Sequence, residues 1–500
     1  MNITIVKGRL EEQKADLLVV NEFSGVEKTG GATGSVNKAL GGLLEKLMKE
    51  EQFNGGQRET LLVRTGGVIP GSRVLLVGLG ERKDFSLETV REVSAAAYNT
   101  AKKLGARRVV SILHGAGAGK LSALLCAKAQ TEGVRLAEYE FVKRKKAPEK
   151  KTPKVESWTI VSSDAAHVRA GARGVGEGEL SAEGTIFARD LVNEPAGQMT
   201  PRHLALAAQN IAKVSKGAVR IKVFEAGQIE KMGMGGVAGV GQGSVHPPYF
   251  VHLIYKPRGA KKTVAVVGKG ITFDSGGLSL KPADYMMTMK CDMAGAAAVL
   301  GLFSVLTRVA PKVTVHGIFG ACENMPSGNA IRPGDVLKAL NGKTMEVLNT
   351  DAEGRLTLAD SLSYASKLKP DALVDLATLT GACMAALGEE ITGVMGNDHK
   401  LTGAILQAAA AAGEKMWELP LEKRYKDLIK SEIADVKNIG GKYGGAITAG
   451  LFLQEFVDAE IPWVHLDIAG PAFAERPVNA YTRYGGTGAG VTTLIEFLKK

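Results

Sequence analysis

The chain is poor in the residues that build disulfide frameworks and histidine metal sites. It has four cysteines in 500 residues, Cys126, Cys291, Cys322 and Cys383. They are widely spaced and never form C-x-x-C, which argues against a disulfide scaffold or a zinc finger and for reduced thiols in a cytosolic protein. The eight histidines are scattered without ligand spacing, so an H-E-x-x-H protease is not indicated. His316 and His465 fall in strand-like runs and read as core or supporting residues. The longest mostly apolar run, Ala294 to Leu306, is 13 residues. A membrane span needs ~20, so this run reads as a buried helix and no membrane association is expected. The first twenty residues include Glu11, Glu12 and Asp16 and lack an apolar core, so no signal peptide is evident. There is no repeat of solenoid length.

A chain of this length exceeds what one core supports, which predicts two domains. Hydrophobic residues at 45% and charged residues at 23% are ordinary for a soluble globular protein. The 62 glycines exceed average usage and cluster beside predicted strands, which reads as loops around a site. The net charge of +11 is mostly local: Lys143-Arg144-Lys145-Lys146, Lys150, Lys151 and Lys154 stand against Glu149, leaving +5 elsewhere. With Pro148 and Pro153 inside it, the run reads as a solvated loop or linker. As a nucleic-acid patch it lacks interleaved aromatics.

Strand-like and helix-like patterns alternate along the whole chain, which predicts an α/β layer fold. Leu17–Val20, Arg73–Val77, Val109–Leu113 and Trp158–Val161 read as strands, with helices at Ser86–Leu104 and Lys120–Tyr139. The run Gly115-Ala116-Gly117-Ala118-Gly119-Lys120 resembles a phosphate loop but lacks its spacing. A helix at about Glu177–Val192 reads as a connector. The division is 1–165, a connector at 166–195, and 196–500. In the last part Phe250–Ile254, Thr263–Val267, Thr314–Ile318, Ala372–Leu376 and Trp463–Leu466 read as strands, and Asp292–Arg308 and Leu356–Lys367 as helices.

The octet Asn349-Thr350-Asp351-Ala352-Glu353-Gly354-Arg355-Leu356 is the most informative stretch. If it is extended, Asp351, Glu353 and Arg355 point to one face. Folding does not require two acids and an arginine side by side, so a cation or an anionic substrate is the physical reason for them. Upstream, a strand ends in Gly268-Lys269-Gly270-Ile271-Thr272-Phe273-Asp274-Ser275-Gly276-Gly277. Ligand groups gather at carboxyl ends of strands, which suits Lys269 and Asp274. Lys281 follows, and Asp292 opens an Ala/Gly-rich helix. Asp274, Asp292, Asp351 and Glu353 cannot gather ionised without cations. Oxygen-rich ligation with few histidines suits a pair of divalent ions.

These segments, with Met289 to Met293, Asn193-Glu194-Pro195, Asp375 to Gly381 and Asp467 to Gly470, resemble the leucyl aminopeptidase (cytosol aminopeptidase, M17) family. The resemblance implies a macro-domain-like N-terminal α/β domain and a C-terminal catalytic α/β domain with a mixed sheet flanked by helices. It implies two divalent metal ions, Zn²⁺ or Mn²⁺, on Lys269, Asp274, Asp292, Asp351 and Glu353, with Asp274 and Glu353 bridging. Lys281 and Arg355 match the catalytic side chains, with bicarbonate at Arg355. Met289, Thr378, Gly381 and Ala469 match a substrate pocket. The implied activity is release of N-terminal residues, Leu among them, from peptides with a free N-terminus, by a cytoplasmic homohexamer. A Cys-Gly dipeptidase and a DNA-binding regulator are the alternatives.

Overall fold

The computed structural model describes residues 1–117, 119–146 and 153–499. Ala118 of the glycine-rich run and residues 147–152 of the basic run therefore lie outside the described residues. The chain forms two compact units. One comprises Met1–Ala182 with Pro477–Arg483, the other Glu183–Arg476 with Tyr484–Lys500.

The first unit is built on a six-stranded sheet: β1 (Asn2–Lys7), β2 (Leu17–Glu22), β3 (Thr60–Arg64), β4 (Arg73–Gly78), β5 (Arg108–Ile112) and β6 (Ser157–Ser162). The order is β1-β6-β5-β2-β4-β3. Every pairing is parallel except β3 with β4. The continuous apolar runs of β2 and β4 follow from burial on both faces. β1 and β3 are edge strands with more exposed, polar residues, and a buried-strand pattern does not find them.

The connector helix runs over Ala165–Asn193, longer than the expected Glu177–Val192. Glycines in its first half weaken the helical signal. Gly171, Gly174 and Gly178 are there for contact, whereas Gly176 faces open space. A Cβ on Gly174 would stand 2.1 Å from the carbonyl oxygen of Leu124, in the helix Ala123–Glu138.

In the second unit the strands are β7 (Val219–Glu225), β8 (Tyr249–Tyr255), β9 (Thr263–Gly268), β10 (Gly270–Asp274), β11 (Thr314–Asn324), β12 (Val336–Lys338), β13 (Thr344–Glu346), β14 (Ala372–Ala377), β15 (Thr392–Gly396), β16 (Met416–Glu418), β17 (Val436–Lys437) and β18 (Trp463–Asp467), with a short pair, β19 (Phe473–Ala474) and β20 (Gly485–Gly486), beyond them. The main sheet has the order β16-β15-β18-β14-β9-β11-β8-β7, and β10 also pairs with β11. Its centre, β18-β14-β9-β11, is parallel, while β8 and β15 join antiparallel. This is the expected mixed sheet flanked by helices. The apolar run lies in the helix Ala294–Val309, which is buried against β9, β11 and β14. Leu356, Ala359 and Leu362 of the helix Gly354–Ser366 enter the core as their spacing predicts.

Candidate metal centre

The parallel strands bring their carboxyl ends to one edge of the sheet, and the chemistry gathers there. Lys269 follows β9, Asp274 ends β10, Asn324 ends β11, Thr378 follows β14 and Asp467 ends β18. β9 and β10 are two halves of one strand path beside the long β11, interrupted at Lys269. The interruption frees the backbone of Lys269 to bond elsewhere. Its N–H donates to the Leu376 carbonyl at 2.9 Å, and its carbonyl accepts from Ala296 N–H at 2.8 Å.

Two ammonium groups hold four carboxylates. Lys269 Nζ lies 2.8 Å from Asp292 and 2.9 Å from Glu353, and donates to the Thr378 carbonyl at 3.0 Å. Lys281 Nζ lies 2.9 Å from Asp274 and 2.5 Å from Asp351. One oxygen each from Asp274, Asp351 and Glu353 lies within 4.8 Å of the others. Lys269, Asp274, Asp292 and Glu353 are buried.

Neighbouring amides fix the loops. Asn324 Nδ2 donates to Asp274 Oδ1 at 2.8 Å and to the Thr350 carbonyl at 2.9 Å. Thr350 Oγ1 donates to the Gly276 carbonyl at 2.6 Å and accepts from Ser279 N–H at 2.8 Å. Asn438, fully buried, accepts from Leu348 N–H and donates to the Asn349 carbonyl at 2.7 Å. The Asn438 carbonyl accepts from Arg355 at 2.8 Å.

The octet is not the extended segment its alternation suggested. Asn349–Ala352 forms a turn closed by an Ala352 N–H to Asn349 carbonyl bond of 3.2 Å, and Glu353 is already helical in φ and ψ. The helix starts at Gly354, so Arg355 belongs to its first turn. Asp351 and Glu353 converge through the turn, not through strand alternation. Asp292 likewise lies two residues before its helix, which begins at Ala294, and it does not cap it.

Burial dominates the electrostatics. It raises the Glu353, Asp292 and Asp351 carboxyls above their ordinary values, against the lowering pull of the lysines. Burial by itself lowers Lys269 and Lys281, but the surrounding carboxylates outweigh it and hold both ammonium groups above the usual lysine range. Arg355 is lowered to about 10 by burial and so stays charged at neutral pH. Asp292 Oδ2, Asp351 Oδ1 and Glu353 Oε1 face a lysine without a directed hydrogen bond, and Glu353 Oε2 is buried with no hydrogen-bond partner among the described residues. Arg355 Nε is likewise without a hydrogen bond. Carboxylate oxygens converging beside two lysines, one of them (Glu353 Oε2) without a partner among the described residues, fit hard divalent cations.

Thr378 touches this cluster through its hydroxyl, which donates to Asp292 Oδ1 at 2.7 Å. Met289 lies in the short 3₁₀ turn before Asp292, and Gly381 begins the helix Gly381–Leu387. Ala469 is half-buried in the loop after β18. Asp467 ties these loops together, accepting from the N–H groups of Leu379 and Ala469 at 3.2 Å and from Thr380 Oγ1 at 2.7 Å. Sequence reasoning gave no role to Asn324, Asn438 or Asp467; their position at strand ends was the available signal.

Comparison with known proteins fits this edge. A model of the cytosol aminopeptidase family catalytic domain matches residues 186–495, and one of that family's N-terminal domain matches residues 19–148. The chain belongs to the cytosol aminopeptidase family. As a member it is a peptidase, a hydrolase. A probable cytosol aminopeptidase of Persephonella marina is 43% identical over 100% of this chain and 99% of its own. The corresponding Aquifex aeolicus protein is 44% identical over 100% and 98%. Among solved structures, a mutant of tomato leucine aminopeptidase is 36% identical, with a TM-score of 0.88 over 100% of this chain and 96% of that one. A bottromycin maturation enzyme in complex with Mn is also 36% identical, with a TM-score of 0.85 over 97% and 99%.

Proposed function

We propose that this chain is a metal-dependent aminopeptidase that removes N-terminal residues, leucine among them, from peptides and serves intracellular peptide turnover. Residues 1–165, 166–195 and 196–500 would be its N-terminal domain, connector and catalytic domain. The observation that carries the reading is the meeting of Lys269, Asp274, Asp292, Asp351 and Glu353, with a partnerless buried Glu353 oxygen, beside Lys281 and Arg355.

Those five residues would hold two divalent ions, Zn²⁺ or Mn²⁺. The Mn complex of the bottromycin maturation enzyme supports manganese. When bound, the ions supply a water of lowered pKa and a Lewis acid, and a bicarbonate at Arg355 supplies a proton acceptor. Lys269 must act as a neutral amine to ligate, so it gives up its proton on loading. Lys281, a cation at the more open side of the cluster, would stabilise the negative charge that develops on the scissile carbonyl oxygen. Arg355 cannot be the base, because it keeps its charge. Its buried Nε, without a hydrogen bond, suits an anion. Met289, Thr378, Gly381 and Ala469 would line the side-chain pocket, and an added Cβ at Gly381 meets nothing within 4 Å, which supports open space there. The family resemblance supports a homohexamer, which light scattering would measure.

The test is Leu-p-nitroanilide turnover by wild type and Glu353→Ala, with and without added Zn²⁺ or Mn²⁺. The reading requires metal-dependent turnover in wild type and its loss in the variant. Turnover that survives chelation and the substitution would overturn it.

A further inference from the structure

Asp274 is gripped from two sides, and the grip decides which of its oxygens a ligand can use. β10 runs parallel to β11, and a register shift between Ile271 and Phe273 brings Asp274 opposite Asn324 at the ends of both strands. Irregularities of this kind re-aim side chains beside a site. Asp274 Oδ1 accepts from the Gly276 N–H and from Asn324 Nδ2, both at 2.8 Å. Its Oδ2 faces Lys281 Nζ at 2.9 Å. Two donors occupy Oδ1, so Oδ2 is the oxygen left for the centre of the cluster.

The second hydrogen of the same amide goes to a different segment. Asn324 Nδ2 donates to the Thr350 carbonyl at 2.9 Å, one residue before Asp351. Asp351 faces the same Lys281, at 2.5 Å. Asn324 therefore joins the two segments that carry Asp274 and Asp351, and both of its amide hydrogens are used. Among the described residues it has no hydrogen bond to Asp292 or Glu353, which gather on Lys269.

The amide is itself held firmly. Asn324 is 2% exposed, and its carbonyl accepts from the Ser275 N–H at 3.0 Å and from Ser275 Oγ at 2.7 Å. A Cβ at Gly277 would stand 2.7 Å from Asn324 Oδ1, and Gly277 has a φ of +65°, so glycine lets the loop lie against the amide. An apolar side chain at 324 would leave both the Asp274 carboxylate and the Thr350 carbonyl short of a donor.

We propose, resting on the two-ion reading above, that Asn324 is a positioning residue for one ion of the pair. It aims Asp274 Oδ2 and sets the spacing of Asp274 and Asp351, and so governs the ion on the Lys281 side of the cluster and not the ion beside Lys269.

The experiment is calorimetric titration of chelator-treated, full-length protein with Mn²⁺, in wild type, Asn324→Ala and Asn324→Thr, with circular dichroism of each metal-free variant. Threonine suits a strand and keeps much of the volume, but offers one hydrogen where the amide offers two. Asp351→Asn and Asp292→Asn mark which binding step belongs to which side. The expected result is two steps in wild type. In Asn324→Ala the step that Asp351→Asn weakens should lose about tenfold or more in affinity, with the other step unchanged. Asn324→Thr should shift the same step in the same direction. Equal weakening of both steps, weakening of neither, or weakening of the step that Asp292→Asn marks would overturn the proposal and leave the two-ion reading standing. Failure of both variants to fold without metal would make Asn324 a residue of the fold and overturn it equally. Fewer than two steps in wild type would overturn the two-ion reading, and the proposal with it.

Discussion

Lys269 passes over the first residue of the helix Gly354–Ser366, and residue 354 has no side chain to stop it. A Cβ at Gly354 would stand 2.3 Å from Lys269 Cε and 2.6 Å from Nζ. The lysine tip is tied to Asp292, Glu353 and the Thr378 carbonyl, so it cannot swing aside without leaving the cluster.

Gly354→Ala separates two effects. Helix propensity alone favours alanine by about 1 kcal/mol. Overpacking costs about 1–3 kcal/mol, and displacing a reacting group by an ångström costs on the order of 100-fold in rate. The expected outcome is a melting temperature near or slightly below wild type, with kcat/KM for Leu-p-nitroanilide down by about two orders of magnitude. Thermal melts and steady-state kinetics on one preparation check it.

Loading with Mn²⁺ should release protons. The carboxylates hold Lys269 above the usual lysine range, and burial raises Glu353 and Asp292 as well. All three shifts favour the protonated forms, which cannot ligate, so apparent metal affinity rises with pH. Calorimetry in buffers of different ionisation enthalpy measures the release. Affinity independent of pH between the ordinary carboxylate range and neutrality would contradict these assignments.

Arg355→Ala should lower kcat and leave KM nearly unchanged, since the group is proposed to act through a bound anion. Removing such a charge costs on the order of 10²–10³ in kcat. Added bicarbonate should stimulate wild type and not the variant. Equal stimulation of both would detach the anion from Arg355.

Asp467→Asn tests the tie between the pocket loops. Asp467 accepts from Leu379, Ala469 and Thr380. An unsatisfied buried partner costs about 1–3 kcal/mol. The expected signature is a lower melting temperature and a raised KM across a panel of dipeptides and amides, with metal content unchanged by elemental analysis.

Much of the architecture was legible because the parallel strands are buried on both faces and read as apolar runs. Val74 to Val77 and Val264 to Val267 are examples. Edge strands such as β3 and the glycine-rich start of the connector helix lacked that signal, since edges tolerate polar residues and glycine masks helices. The site residues were legible as chemistry: carboxylates and lysines with no folding reason to coexist. Their local conformation was not. Alternation of Asp351, Glu353 and Arg355 imitated a strand, whereas the turn is set by Asn438, which approaches from more than eighty residues away. No local pattern carries a partner at that distance.

The most direct measurement is a Mn²⁺ titration of chelator-treated protein, following bound metal and Leu-p-nitroanilide hydrolysis together, in wild type and Glu353→Ala. Two ions per wild-type chain, hydrolysis that rises with their binding, and loss of both in the variant are the predicted result. Hydrolysis without bound metal, or stoichiometry unchanged by removing Glu353, would contradict a metal centre at this strand edge.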